Sequence, residues 1–261
     1  MRVLSVTAQK PCSTGSGVYL TEVVRSLAKM GVSQAVVAGV TREDRVDMPE
    51  GVTVYPVYFS SEKLPYPVVG MSDEMPYTST RYRDMTEEMA GQFKAAFLEV
   101  LDEAIEKENP DIILCHHLYY LTALIRAHYP AKKVYGFCHN TDLRQMESIS
   151  FERNFIRQEI PKLDRIFALQ EAQKEKIKKI NVSQGKRVYL FTSKGSITLE
   201  AAIVITIFML AILSVISYIT VLNKQLHNQK QINNMGIALS KLNYYKQCTE
   251  KSKKYSEDLG L

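Results

Sequence analysis

The chain has 261 residues, 46% hydrophobic and 23% charged, a balance that excludes a disordered protein and allows one ordinary domain plus an appendage. Its formal net charge of +5 is gathered rather than spread, with Lys174, Lys176, Lys178, Lys179, Lys186, Arg187 and Lys194 all standing just ahead of an apolar run. A basic cluster there fits a membrane surface or a solvated helix face, and the absence of interleaved aromatic and basic residues excludes nucleic acid as a partner.

The opening "MRVLSVTAQKPCSTGSG" has neither a long apolar core nor a small-residue cleavage site. No secretory signal is expected, and the first part of the chain is expected in the cytoplasm. Cys12, Cys115, Cys138 and Cys248 show no CxxC spacing, and no metal site is expected. Cys115 and Cys138 lie in apolar runs and read as reduced core residues.

Arg2 to Thr7 is a short β-branched run that ends in a polar, glycine-containing loop. Leu20, Val23, Val24, Leu27 and Ala28 then follow helical spacing, with Gly31 placed to cap the helix. "SQAVVAGV" and "VTVYPVYF" read as two further strands. A loop rich in Pro, Tyr and Met runs from Ser60 to about Tyr82, long enough to bind a ligand or cover one. Met85, Met89, Phe93, Phe97, Val100, Leu101 and Ala104 mark a long amphipathic helix closed by Asn109-Pro110. "DIILCHH" is nearly all apolar, as a strand buried on both faces requires. A short helix over Leu118 to His128 leads to the strand "KKVYGFCHN". A helical region interrupted at Pro161, the run "LDRIFAL" and the basic helix "EAQKEKIKKI" complete the series. Strands alternating with helices predict an α/β fold with a doubly wound, Rossmann-like parallel sheet.

In such sheets ligands bind at the carboxyl ends of the strands. The polar residues that fall there are Gly15, Ser16 and Gly17 after the first strand, His116 and His117 after "IILC", and His139, Asn140, Thr141 and Asp142 after "VYGFC". The two glycines either shape a tight turn or let the backbone approach a phosphate. The histidines either bond locally or face a ligand. Polar side chains directly after a buried strand need a ligand, a water network or a helix start to satisfy them.

At these residues the chain resembles the N-terminal domain of a family-4 glycosyltransferase of GT-B architecture. Four stretches carry the resemblance in order: "MRVLSVTAQKPCSTGSGVYLTEVVRSLAKMG", "NPDIILCHHLYYLTALI", "VYGFCHNTD" and "LDRIFALQEAQKEKI", covering about the first 180 residues. In that family two Rossmann-like domains face each other; the first mainly holds the acceptor, the second the nucleotide-sugar. The resemblance implies a hexosyl transfer with a nucleotide-sugar as substrate, no separate cofactor, and a sugar or lipid acceptor. Gly15, Ser16 and Gly17 look like the loop near the donor phosphates. His139 looks like the active-site histidine, with His117, Asn140 and Asp142 as substrate-binding neighbours. No acidic sugar-nucleotide motif follows residue 180, so the domain is expected to be inactive as a transferase by itself.

Residues 181–195 read as a basic junction, 196–223 as a transmembrane helix and 224–261 as an extracytoplasmic helical tail. Ala201 to Leu222 carries no charge and is long enough for a hydrocarbon core of roughly 30 Å. The excess of basic residues ahead of it predicts a single-pass membrane protein with a cytoplasmic N-terminal domain. "KGSITLEAA" resembles the cleavage motif of type IV prepilins and TadE-like pseudopilins. Cleavage after Gly195 would leave Ser196 as the new N-terminus and Glu200 at its fifth position, and would imply a prepilin peptidase and pilin-like subunits as partners. Met235, Leu239 and Leu242 share one face of the tail. "NVS" at Asn181 matches a glycosylation sequon, but a cytoplasmic position argues against its use. A chimeric gene product, two partial proteins joined near residues 181 to 194, is a further alternative.

Overall fold

The computed structural model describes residues 1–179, 188–190 and 197–258; of these, the side chains of 197–208, 211, 252, 253 and 255–258 are outside the description. The chain divides into two compact units, Met1–Thr192 and Ser193–Leu261.

The first unit alternates strands and helices. β1 (Arg2–Thr7), α1 (Gly15–Lys29), β2 (Ser33–Val40) and β3 (Thr53–Tyr58) come first. Two short strands, β4 (Val69–Gly70) and β5 (Thr80–Arg81), pair with each other inside the long loop. Next come α2 (Glu87–Glu108), β6 (Ile112–His116), α3 (Tyr120–His128) and β7 (Val134–Cys138). They are followed by α4 (Thr141–Ser148), α5 (Arg153–Glu159), β8 (Arg165–Ala168), α6 (Glu171–Lys179) and β9 (Val188–Leu190). β9 lies within the segment read as a basic junction and pairs with β8.

The sheet has seven parallel strands in the order β3-β2-β1-β6-β7-β8-β9. Because strand side chains alternate between faces, each strand feeds two cores. Leu4 and Val6 of β1 join Ala35, Val37, Ile113 and Cys115 under α2 and α3. Val3, one residue along, packs on the other face with Leu114 and Phe137 beneath Tyr19, Val23 and Leu27 of α1. Phe93 and Phe97 of α2 are completely buried, at roughly 1.5–3 kcal/mol of stabilisation each.

Helix ends are set by local chemistry. Thr14 caps α1 by accepting the Gly17 amide at 3.1 Å, and Thr86 caps α2 by accepting that of Met89 at 3.2 Å. Asn109 closes α2 in the left-handed region at φ 39°, a conformation asparagine tolerates better than most residues.

From β1 the chain moves to β2 and β3 on one side; from β6 it moves to β7, β8 and β9 on the other. The reversal between β1 and β6 opens a crevice at the carboxyl edge, where the loops after the two strands diverge.

The second unit carries the single long helix expected after the α/β domain, running through the boundary drawn between membrane helix and tail. It is one continuous helix, α7 (Ile197–Asp258), of 62 residues and about 93 Å at 1.5 Å per residue. Among the described residues no helix is long and apolar enough to cross a membrane. Of the expected span 201–222, side chains are described at 209, 210 and 212–222. Gly195 and Ser196 also lie outside the described residues. Glu200 is placed in α7, but its side chain is not described.

Candidate functional site

Three histidines and a glutamine meet at this carboxyl edge. His116 is the last residue of β6 and stands opposite Phe137 of β7. Its ring stacks on Phe137 with centroids 5.3 Å apart, and its Nδ1 lies 3.3 Å from Nε2 of His139. His117 follows in the left-handed region at φ 75°, which turns its ring away from the strand's alternation. That turn is held by the His117 amide donating to the Phe137 carbonyl at 3.1 Å and by the Thr122 hydroxyl donating to the His117 carbonyl at 2.5 Å. Across the crevice, Nε2 of His117 lies 3.1 Å from Oε1 of Gln9, in the loop after β1. The His117 and His139 rings are 4.7 Å apart.

Tyr19 of α1 packs edge-on against His139 at 5.3 Å and against His116 at 6.0 Å. Burial raises its phenol to about 12. Burial holds His139 down to about 4. It holds His116 and His117 well below the usual imidazole range, and the neighbouring His139 lowers both further. All three rings are therefore neutral at pH 7, and each offers one N–H and one lone pair.

Asp142 is fully buried beneath this cluster. Its Oδ2 accepts the amides of Leu118 at 2.8 Å and His139 at 3.2 Å; Oδ1 accepts the Leu143 amide at 3.0 Å and the Cys138 thiol at 3.5 Å. The carboxylate ties the loop after β6 to the loop after β7. Asn140, exposed and at φ 70°, forms the mouth beside His139.

The glycine loop lies on the β1 side of the crevice. Gly17 is buried, and a Cβ there would meet the Lys10 carbonyl at 2.8 Å and the Cys12 amide at 3.0 Å. Gly15 is exposed and unobstructed. The Ser16 hydroxyl donates to Oε1 of Gln9 at 3.2 Å and lies 3.1 Å from the Thr14 hydroxyl. Beside the loop, Lys10 pairs with Asp44 at 2.7 Å and lies 5.1 Å from the ring centre of Tyr77, in the long loop after β3.

The structure thus brings His117, His139, Ser16 and Asp142 into one hydrogen-bonded neighbourhood, with Asn140 and Gly15 on its rim. Sequence reasoning did not single out Gln9 or Tyr19. The available signal for Gln9 was a polar residue two positions beyond the end of β1. Tyr19 had none, because its helical spacing matches a core residue. Among the described residues no cluster of His, Cys, Asp or Glu is arranged to hold a metal ion.

Residues 13–191 match the sequence profile of Glycosyltransferase Family 4. No curated protein matches the chain. Among solved structures, sucrose-phosphate synthase from Thermosynechococcus elongatus aligns with a TM-score of 0.55 at 10% identity, covering 76% of this chain and 49% of that one. The E. coli trehalose-6-phosphate structure bound with UDP-2-fluoro glucose aligns at 0.48 and 12% identity, covering 73% and 48%. At 10% identity the synthase likeness is one of fold, and the chain spans about half that protein's length. The family profile extends over more than half of the present sequence and includes every residue of the histidine cluster, so the chain belongs to Glycosyltransferase Family 4.

Proposed function

We propose that the Met1–Thr192 unit is the acceptor-side half of a hexosyl-transfer site, binding a sugar or lipid acceptor and the sugar of a nucleotide-sugar donor in the crevice between β1 and β6. The observation that carries this reading is the cluster of three neutral imidazoles at the carboxyl edge, with His116 and His117 buried behind the partly exposed His139. Each neutral ring uses one nitrogen within the cluster, and His139, with Nε2 facing His116, offers Nδ1 to a sugar hydroxyl. With a pKa near 4, His139 is a weak general base at pH 7, so it orients the sugar by hydrogen bonding. Asp142 acts from behind, by fixing the backbone that carries His139. The nucleotide needs a second α/β domain across the cleft. Without one the unit binds weakly and does not turn over.

Saturation-transfer NMR of the full chain with millimolar UDP-glucose, UDP-N-acetylglucosamine and GDP-mannose tests this reading. Transfer to the hexose protons of at least one donor is expected, falling about ten-fold in His139→Ala, as the loss of a hydrogen bond of about 1.4 kcal/mol predicts. Equal transfer in that variant, or none in the wild type, overturns it.

A second reading concerns α7. Leu210, Leu213, Val215, Ile216, Ile219 and Val221 are exposed around the whole helix, and no charge occurs between Glu200 and Lys224. That surface favours an apolar environment, a single-pass membrane anchor with the first unit cytoplasmic. Flotation of the full chain with phosphatidylcholine–phosphatidylglycerol vesicles, followed by carbonate extraction, is expected to leave it in the lipid layer; recovery in the soluble fraction overturns the anchor. The pilin-like alternative predicts, in the presence of a prepilin peptidase, a product of intact mass beginning at Ser196.

A further inference from the structure

Gln9 is buried to 2% exposure, and its two ends are treated differently. The amide oxygen receives the Ser16 hydroxyl at 3.2 Å and meets Nε2 of His117 at 3.1 Å. The Gln9 backbone amide is itself held by the Thr7 hydroxyl oxygen at 3.2 Å. Donor polarity is consistent along this path, running from Thr14 through Ser16 to the Gln9 oxygen. An oxygen facing His117 requires that ring to carry its proton on Nε2, leaving Nδ1, which is buried without a partner, as the lone-pair nitrogen. No group among the described residues accepts the two hydrogens of Gln9 Nε2, on a side chain otherwise enclosed at the point where the sheet reverses direction.

We propose that Gln9 is a ligand-contacting residue: His117 and Ser16 fix its amide oxygen so that its N–H bonds are presented, already oriented, to an oxygen of the bound sugar or of its phosphate. The proposal rests on the acceptor-side reading given above and adds a residue that discriminates ligands. A donor fixed in place and aimed at an oxygen favours a ligand that supplies one over a ligand that lacks it. Two positioning contacts also keep the amide from rotating, so little freedom is lost on binding.

The test uses the full chain with its glutamine side chains labelled with ¹⁵N. UDP-glucose and UDP alone serve as probes, because the first carries sugar hydroxyls and both carry phosphate oxygens. The Gln9 side-chain amide signal is expected to shift on addition of UDP-glucose. A shift with UDP-glucose alone assigns the contact to the sugar, and an equal shift with UDP assigns it to the diphosphate. Gln9→Met and Gln9→Glu are each expected to weaken UDP-glucose binding about ten-fold. Gln9→Glu retains the oxygen facing His117, so it should keep the Nε2–H tautomer, read from the imidazole ¹⁵N shifts, while still losing the ligand contact. Unchanged binding in both variants, with the wild type binding normally, overturns the role of Gln9 and leaves the acceptor-side reading standing. An Nδ1–H tautomer in the wild type overturns the proposed orientation of the amide. No binding in the wild type removes both.

Discussion

Lowering the pH from 7 to 5 is expected to destabilise the Met1–Thr192 unit by about 2 kcal/mol through His139, with His116 and His117 acting in the same direction. His139 is held down to about 4, and His116 and His117 well below their ordinary range, chiefly because burial disfavours the charged ring. Each of these groups binds its proton more readily in the unfolded chain, where its pKa is near 6.5. Their stabilising contribution is therefore complete above about pH 6.5 and is lost as the pH falls toward the folded values. For His139 alone the loss is about 2 kcal/mol by pH 5 and about 3 kcal/mol by pH 4. The other groups around the cluster do not reverse this. Burial raises Asp142, which favours the folded state as pH falls and offsets part of the loss. Burial also raises Tyr19 and Cys138, but both stay neutral throughout this range. A loss of about 2 kcal/mol is already a sizeable share of an ordinary domain's stability. Urea unfolding followed by circular dichroism suits a chain without tryptophan, and it should show the midpoint collapsing between pH 6.5 and 5. His116→Phe can stack on Phe137 and cannot ionise, so it should lessen the slope. A midpoint that stays flat across this range would contradict the buried, neutral cluster.

The same residues show where sequence reasoning reached and where it stopped. The apolar runs at Arg2–Thr7, Ser33–Val40 and Ile112–His116 were legible as strands because burial on both faces leaves little room for polar residues. The polar residues just past them were legible as site candidates because parallel strands all present their carboxyl ends to one edge. What joins those candidates was not legible. Gln9 meets His117 across 108 positions, and that distance encodes no local pattern. Nor does composition distinguish Asp142 as a ligand contact from Asp142 as an internal brace; only the amide donors surrounding it do so. β9 was hidden for another reason. Three residues beside a run of lysines and arginines carry too weak a period to stand out, and pairing with β8 supplies what their own sequence does not. In the second unit, hydropathy marked the change at Lys224. The helix passes through it unbroken because lysine, glutamine and asparagine tolerate an exposed helix far better than they tolerate lipid.

Replacing Asp142 with alanine is expected to cost more than any other single substitution at the site, about 3–5 kcal/mol, because it removes the partner of several enclosed donors at once. The amides of Leu118, His139 and Leu143 all point at this carboxylate, with the Cys138 thiol at its other side. Asp142 is itself fully buried, so water does not readily replace it. Asn is the informative comparison. It keeps one oxygen and turns the other acceptor into a donor, which must then face an amide or the thiol. An intermediate loss of about 1–3 kcal/mol is expected. The two variants should also separate stability from function. Leu118 begins the segment after His117, and His139 ends the approach from β7, so the carboxylate sets the spacing of the two histidine-bearing loops. In Asp142→Asn, kept folded at low temperature, an NH2 in place of Oδ2 deprives both the Leu118 and the His139 amides of their acceptor, whereas an NH2 in place of Oδ1 deprives the Leu143 amide and the Cys138 thiol; in the first case the 3.3 Å pairing of His116 with His139 should loosen. Imidazole ¹⁵N spectra of the folded variant would register this as a change in the His116 and His139 signals, with that of His117 held by Gln9. If alanine costs less than about 1 kcal/mol, the donors around Asp142 find other partners and the brace is not what holds the loops together.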